Sequence, residues 1–256
     1  MIDLTWWGHS TVSIRDSGVH LVTDPLLTDR VAHLTRRRGR APDQLSPDAV
    51  LISHLHHDHL HLPSLRRLAP GTRVVVPVGG GGLITRLGLV AREVAPGDEV
   101  VVGGVSVRAV RAVHDGRRHP GSSWWGPALG YVVHGSLRTW FAGDTGPAEL
   151  LGQDVGAVDV ALVPVGGWGP VSRGSTTGQH LGPRDAAAVT VSVGASLAVP
   201  IHYGTMWPSG LRAKGHRLFL SPGAEFAREL GALGTRAQAR VMHPGEQYQW
   251  APPAVS

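Results

Sequence analysis

Residues 53–61 read SHLHHDHLH, a stretch with five histidines and one aspartate in nine positions. The stretch follows the apolar run DAVLIS, which predicts a strand, and precedes Pro63, which is typical of the first turn of a helix. The histidines therefore occupy a loop between a strand and a helix. Functional side chains are common in such loops.

Two pairs of metal-binding residue types lie within this loop. His54 and His56 form an H-x-H pair that can face one metal ion, and Asp58 and His59 can face a second position beside it. The chain has no cysteine, so any transition-metal site must use nitrogen and oxygen ligands. The loop predicts the start of two metal sites.

Further ligands are expected where other apolar strands end. His114 follows such a run in RAVHDG, Asp144 in FAGDTG and His202 in VPIHYG. We predict that Asp144 bridges two divalent ions, zinc or else manganese or iron(II). The predicted metal ligands are His54, His56 and His114 on one ion, Asp58, His59 and His202 on the other, and Asp144 on both.

The remaining histidines are not predicted to be ligands. His57 and His61 are interpreted as supporting or exposed residues of the same loop. His9 in GHST is expected either to line the metal pocket or to pack the first strands. The other histidines interpreted as supporting or exposed residues are His20, His33, His134, His216 and His243.

Length and composition are typical of a soluble globular protein. The chain has 256 residues, of which 42% are hydrophobic and 17% charged, and we expect one domain over 1–256. No apolar run reaches the roughly 18 residues of a membrane span, and the first residues do not resemble a signal peptide. These features predict a cytoplasmic protein without a membrane span. The net charge of +5 favours anionic partners only in a general way.

The order of the predicted elements indicates a layered fold. Strands are predicted over IDLTWW, STVSIR, VHLVTD, DAVLIS and TRVVVPV, then over paired strands within 101–114 and 131–144, and over DVALVPV and SLAVPIHYG. Helices are predicted near Pro63, over PRDAAAVTVSVG and over SPGAEFARELGALG. The order favours an α/β (α+β) fold in which two halves pack sheet to sheet with helices outside.

The chain resembles the metallo-β-lactamase superfamily, whose signature H-x-H-x-D-H is matched by His54, His56, Asp58 and His59. The stretches GHSTVSI, TDP, FAGDTG and QHLGPRDAA are similar to the branch that contains ascorbate-phosphate lactonase and the phospholipase D that hydrolyses N-acyl-phosphatidylethanolamine. The resemblance implies an αββα four-layer sandwich with the metals at one sheet edge. It also implies the same seven ligands.

Two supporting positions follow from the same resemblance. The branch usually has Asp where this chain has His61, so a carboxylate that would orient a ligand is missing or replaced. Asp24 in TDP is expected to support the metal histidines, although Asp before Pro is also a common turn former.

The predicted chemistry is hydrolysis by a metal-bound hydroxide, because divalent ions lower the pKa of bound water to about 7. Asp58 and His180 are the predicted catalytic residues, and His180 is expected to protonate the leaving group or to bind the oxyanion. A small ester, a lactone or a phosphodiester fits as substrate, so the activity would be that of a lactonase, esterase or phosphodiesterase.

The substrate is expected to be a small molecule that is anionic or has an apolar or aromatic part. Arg173 could pair with an anionic group, whereas Arg36, Arg37 and Arg38 are interpreted as a solvated loop. The tryptophans that could form either an aromatic substrate wall or packing contacts are Trp124, Trp125, Trp168 and Trp207.

Two other function classes stay open. An RNA-processing nuclease would need a basic surface, but no basic stripe with interleaved aromatics is present, so nucleic acid is not the expected partner. A noncatalytic metal-binding protein is disfavoured, because a structural zinc site normally closes with four ligands on one ion. The oligomeric state is left open.

Overall fold

The computed structural model describes residues 1–146, 154–166, 180–209 and 219–253. The first of its two large sheets has seven strands in the order β17-β1-β2-β3-β6-β7-β8. These strands are β1 (Ile2–Gly8), β2 (Thr11–Asp16), β3 (Val19–Thr23), β6 (Ala49–Leu51), β7 (Arg73–Pro77), β8 (Val90–Val94) and β17 (Glu246–Trp250).

The second large sheet also has seven strands, in the order β16-β14-β13-β12-β11-β10-β9. They are β9 (Glu99–Val102), β10 (Val105–Arg111), β11 (Leu129–His134), β12 (Arg138–Phe141), β13 (Val160–Pro164), β14 (Leu197–Ile201) and β16 (Gln238–Ala239). A small third sheet joins β4 (Arg30–Val31), β5 (Leu34–Arg36) and β15 (Met206–Pro208).

Helices cover the outer faces of the two large sheets. On the first sheet lie α1 (Leu62–Leu65) and α2 (Gly81–Thr85), and on the second lie α3 (Pro183–Ser192) and α4 (Pro222–Ala232). Successive side chains of a strand point to opposite faces of the sheet, so each strand contributes to the packing on both faces. Leu51 and Val75 join the core between the sheets, whereas Val50 and Val74 pack with the residues of α1 and α2. The predicted αββα sandwich is confirmed.

Strand direction brings the ends of distant strands to one edge. In the second sheet β12, β13 and β14 are parallel, and β10 and β12 run in the same direction because each is antiparallel to β11. In the first sheet β3 and β6 are parallel, and β1 shares their direction because β2 is antiparallel to both β1 and β3. The carboxyl ends of these strands carry the residues of the site.

The segment after β3 differs from the prediction of a solvated loop. It contains β5, which pairs with β15, and the side chain of Arg36 is buried. Arg36 donates from Nη1 to the Trp7 carbonyl at 3.1 Å and from Nη2 to the Leu26 carbonyl at 2.7 Å. The prediction of a solvated side chain is therefore wrong for Arg36, because backbone carbonyls replace water around its guanidinium.

Among the described residues, no helix has both the length and the apolar character that crossing a membrane requires.

Candidate metal centre

Three histidines form the first part of the site, which we call the three-histidine group. It consists of His54, His56 and His114, whose potential ligand atoms all lie within 4.8 Å of one another. Nδ1 of His56 lies 2.9 Å from Nε2 of His54 and 3.2 Å from Nε2 of His114. His54 is fully buried and the other two are half-buried. The structure thus brings together the three residues predicted for one ion.

The second part, which we call the Asp58 group, consists of His9, Asp58, His59 and His202. Oδ2 of Asp58 lies 3.0 Å from Nε2 of His9 and 3.8 Å from Nε2 of His59. The rings of His9 and His202 have centroids 4.1 Å apart. The group contains the three residues predicted for the other ion and adds His9, which was not among the predicted ligands.

Asp144 lies beside both groups. Its Oδ2 is 3.2 Å from Nε2 of His59 and 3.2 Å from Nε2 of His202. Its carboxylate also clusters with His54, and separately with His114 and His180. This position matches what a bridging carboxylate requires.

Left-handed backbone conformations occur at three positions of the site. His9 has φ 52°, Asp24 has φ 32° and His202 has φ 60°. Non-glycine residues seldom adopt positive φ, and such strain is concentrated at functional sites. Hydrogen bonds hold the backbone at His9 and His202 in place. His202 N donates to His9 O at 2.9 Å, and His9 N donates to Thr205 Oγ1 at 3.0 Å. A direct backbone contact therefore ties the first sheet to the second at the site.

Several buried polar atoms of the site lack a hydrogen-bond partner within the described part of the chain. They include Nε2 of His59, Nε2 of His202 and Oδ1 of Asp144. A buried polar atom without a partner costs about 1–3 kcal/mol, so native proteins seldom tolerate several in one place. Imidazole nitrogens and carboxylate oxygens are ligands that suit zinc, manganese and iron. The donor set therefore fits divalent metal ions.

Electrostatics differ between the histidines. Burial lowers the pKa of His54 well below its usual value, and burial together with His59 lowers the pKa of His56 to about 4. For His59, burial alone would lower the pKa, but Asp144, Asp58 and Asp24 outweigh it and raise the pKa well above its usual value. His54 and His56 are therefore neutral at pH 7, whereas His59 is surrounded by negative charge.

The acids of the site stay ionised. Burial alone would raise the pKa of Asp144, but His202 and His59 outweigh it and hold the pKa well below its usual range. Burial would likewise raise the pKa of Asp58, and the neighbouring His59 and His9 lower it well below its usual value. An ionised carboxylate is the form that binds a cation.

Asp24 supports the site from beneath. Its buried carboxylate accepts hydrogen bonds from Ser53 N at 2.8 Å and Ser53 Oγ at 2.6 Å, and lies 2.7 Å from Nδ1 of His59. Ser53 Oγ is also 3.0 Å from Nδ1 of His54. These contacts leave Nε2 of His59 and of His54 to face the site, which is how supporting carboxylates orient metal histidines.

His61 stands at the position where the resemblance implies a supporting aspartate. It is buried, and its Nδ1 lies 2.7 Å from Ser64 Oγ at the start of α1. Burial, followed by the charges of His57 and Arg118, lowers its pKa to about 4. His61 therefore stabilises the end of the loop as a neutral side chain.

Arg118 holds the histidine loop and was not anticipated from the sequence. Its buried Nη1 donates to the carbonyls of Leu55 at 3.0 Å and Leu60 at 3.2 Å, and Nη2 lies 3.2 Å from Nδ1 of His57. His57 itself is exposed. No motif marks Arg118, because its contacts are to backbone atoms about sixty positions away.

His180 lies at the entrance to the site. Its Nδ1 is 3.7 Å from Oδ2 of Asp144, its ring centroid is 4.7 Å from that of His114, and its side chain is 16% exposed. It precedes α3, which begins at Pro183 as predicted. This position suits a proton donor and is also close enough for a further metal ligand.

The tryptophans divide between packing and exposure. Trp124 packs on the cluster beneath α1 and α2, with the guanidinium of Arg86 5.4 Å from the ring centroid. Trp207 is buried and donates from Nε1 to the Gly204 carbonyl at 3.3 Å, whereas Trp125 is exposed. Trp168 and Arg173 lie outside the described residues.

Comparison with known proteins finds a matching family model and several relatives. The family model described as the beta-lactamase superfamily domain matches residues 20–203. A UPF0173 metal-dependent hydrolase of Methanopyrus kandleri is 29% identical over 262 residues, covering 96% of this chain and 99% of the relative. An N-acyl-phosphatidylethanolamine-hydrolyzing phospholipase D of Caenorhabditis elegans is 31% identical, but the chain spans only 64% of its length.

Solved structures share the fold at lower identity. Igni18, a metallo hydrolase of Ignicoccus hospitalis, superposes with a TM-score of 0.72 at 23% identity and covers 98% of this chain and 99% of its own. An isothiocyanate hydrolase from Delia radicum gut bacteria gives a TM-score of 0.71 at 18% identity, covering 97% and 99%. These likenesses support the fold, and the superfamily resemblance drawn from the motifs is confirmed by the family model.

Proposed function

Because the chain belongs to the beta-lactamase superfamily, we propose that it is a metal-dependent hydrolase of a small-molecule ester, lactone or phosphodiester. One observation carries the proposal: the three-histidine group, the Asp58 group and Asp144 converge at one edge of the two sheets. The metal-dependent hydrolase of Methanopyrus kandleri, which matches nearly the whole chain, supports it.

The proposed site holds two divalent ions, zinc or alternatively manganese or iron(II). The three-histidine group would hold one ion, Asp58, His59 and His202 would hold the other, and Asp144 would contribute to both. Ions bound there would lower the pKa of water to about 7 and polarise the electrophile. His9 lies 3.0 Å from Asp58 and orients its carboxylate.

Proton transfer is assigned to the chain's own side chains. His180 is partly exposed and lies 3.7 Å from Asp144, so it can reach both a substrate and the buried site. We assign to it the proton donated to the leaving group, or else the hydrogen bond to the oxyanion. Asp58, with 22% of its side chain exposed, is the most exposed member of its group and is therefore the one that an incoming substrate can reach.

Elemental analysis tests the metal content. Protein produced in zinc- or manganese-supplemented medium is expected to hold about two divalent ions per chain, and adding either metal to stripped protein is expected to raise the Tm. Protein that holds only trace metal and gains no stability from zinc or manganese would contradict the proposed site.

A substrate screen tests the reaction. Lactones, alkyl and aryl esters, phosphodiesters, phosphomonoesters and a short RNA are offered to the metal-loaded protein, and turnover of a small molecule supports the proposal. RNA cleavage with strongly salt-dependent binding would favour the nuclease instead. Full metal content without turnover of any class would favour the noncatalytic alternative.

A further inference from the structure

A pocket of about 220 Å³ opens beside Asp58. One wall is the hairpin formed by β4, β5 and the two residues between them, and the other is the histidine loop. The lining residues are Val31, Ala32, His33, Leu34, His57 and Asp58.

The pocket reaches the metal centre directly through Asp58. The side chain of Asp58 is 22% exposed, whereas those of His9, His59 and His202 are at most 3% exposed. Within the Asp58 group, Asp58 is therefore the member that a molecule in the pocket can touch. A substrate with one part in the pocket would place its next atoms beside the site.

The chemistry of the walls favours an uncharged occupant. Val31, Ala32 and Leu34 are apolar, and among the lining residues that the structure describes none is arginine or lysine. An anionic group would therefore lose water in the pocket without gaining a guanidinium or ammonium partner from these walls. An apolar group gains free energy by leaving water there.

The size of the pocket limits the occupant. An apolar cavity of about 150 Å³ holds a benzene molecule, whereas pockets for drug-sized ligands span roughly 300–1,000 Å³. A volume of about 220 Å³ therefore suits one aromatic ring or a short branched alkyl chain.

The hairpin wall is held in place by its own contacts. Val31 and Leu34 pack with Leu26 and Met206 in a small buried cluster. The carbonyl of His33 accepts hydrogen bonds from Ser209 N at 2.9 Å and from Ser209 Oγ at 2.8 Å. A wall already held in its shape loses little entropy on binding.

We propose that this pocket binds an uncharged apolar group of the substrate, about the size of one aromatic ring, next to the bond that is hydrolysed. The inference rests on the proposed hydrolase function and narrows its substrate class to neutral esters or lactones that carry such a group. A substrate with a phosphate or carboxylate at this position is disfavoured.

Matched esters test the substrate class. Metal-loaded protein is given methyl acetate, benzyl acetate, methyl phenylacetate and the 4-carboxy analogue of each ring ester, and acid release is followed in a pH-stat. Burial of one ring predicts a kcat/KM about 10- to 100-fold higher for at least one ring ester than for methyl acetate. Its carboxy analogue should lose most of that advantage through KM.

Variants locate the effect in the pocket. Leu34→Ala should lower the ratio of kcat/KM for the ring ester to that for methyl acetate by about 10-fold. Leu45→Ala is the matched control, because Leu45 is buried to a similar degree but packs with Val22 and Leu27, and it should leave the ratio unchanged. At the exposed His33, His33→Lys should favour the carboxy analogue and His33→Glu should disfavour it further.

A binding measurement keeps the inference separate from turnover. Methyl NMR signals of Val31 and Leu34, the latter identified by their loss in Leu34→Ala, are expected to shift with benzyl alcohol and not with 4-(hydroxymethyl)benzoate. Hydrolysis of methyl acetate without ring preference or methyl shifts would overturn the pocket assignment and leave the proposed function standing. Methyl shifts without hydrolysis of any ester would retain the pocket and refute the ester or lactone chemistry.

Discussion

The three-histidine group and the Asp58 group begin in the same loop yet prepare for a cation in different ways. His54 and His56 are kept neutral because burial lowers their pKa values, so their nitrogen lone pairs are available at pH 7. In the Asp58 group the pKa of His59 is raised, because the negative charges of Asp144, Asp58 and Asp24 outweigh the effect of burial. One group offers neutral donors, and the other offers excess negative charge.

The surroundings of the two groups differ as well. His56 and His114 of the three-histidine group are half-buried, whereas the histidines of the Asp58 group are buried and only the side chain of Asp58 is partly exposed. Asp144 lies where the groups meet. The three-histidine group would therefore hold an ion through nitrogen donors, whereas the Asp58 group would add the charge of a carboxylate to its histidines.

The largest effect is expected at Asp144, because its carboxylate lies beside residues of both groups. Asp144→Ala removes the carboxylate that we propose contacts both ions, so we expect a loss of kcat/KM of more than roughly 10⁴-fold, beyond the range for one general acid. Elemental analysis should show loss of the second ion. Asp115→Ala, an exposed aspartate next to His114, is the control. Full metal content in Asp144→Ala would refute the bridging role.

His180 lies beside His114, so its replacement tests the side of the site formed by the three-histidine group. His180→Ala should lower kcat by on the order of 10² to 10⁴ on an alkyl ester while both ions stay bound, as expected for a lost acid or oxyanion donor. A nitrophenyl ester, whose phenolate leaves without a proton, should lose much less rate if proton donation is the lost function. Equal losses on both esters would indicate oxyanion binding.

The metal content of His180→Ala distinguishes a metal ligand from a proton donor. Since its ring lies beside His114 and Asp144, loss of an ion in His180→Ala would make it a ligand and not a proton donor. A wild-type rate on the alkyl ester would show that it has neither role.

Asp24 tests whether charge dominates the Asp58 group. Asp24→Asn keeps the shape but removes the negative charge beside His59, so chelator competition should show zinc binding about 10- to 100-fold weaker at one of two sites. Asp16→Asn is the matched control, because Asp16 is also buried and accepts hydrogen bonds from Ser136 and Leu137. Equal weakening at both sites would remove the distinction between the groups.

The smallest effect is expected for Arg118. Its replacement should affect metal binding by both groups, because Arg118 anchors the loop that carries residues of each. Arg118→Met leaves the carbonyls of Leu55 and Leu60 without this donor, so the free energy of unfolding should fall by about 1–3 kcal/mol in urea titration. Arg36→Met is the control, because Arg36 binds carbonyls outside the loop. Weaker zinc binding in Arg118→Met only would support the anchoring role, and unchanged zinc binding would contradict it.

The layered fold could be predicted because its signals are local. Apolar strands can be recognised from neighbouring residues, and so can helix starts that are marked by a proline such as Pro63 or Pro183. Short strands that depend on a distant partner were missed. β5 exists because it pairs with β15, some 170 positions later, and no local pattern encodes that pairing.

The residues of the candidate site can likewise be separated into those that local sequence indicates and those that depend on distant contacts. The spacing of His54, His56, Asp58 and His59 places these residues near one another, because covalent geometry keeps neighbours in one loop together, and the two metal positions stay a prediction. The strand ends correctly indicated His114, Asp144 and His202 as residues that meet there. His9, Arg118 and the pocket beside Asp58 follow from contacts between segments that are far apart in the chain, so only the packing of the two sheets and the β4–β5 hairpin decided them.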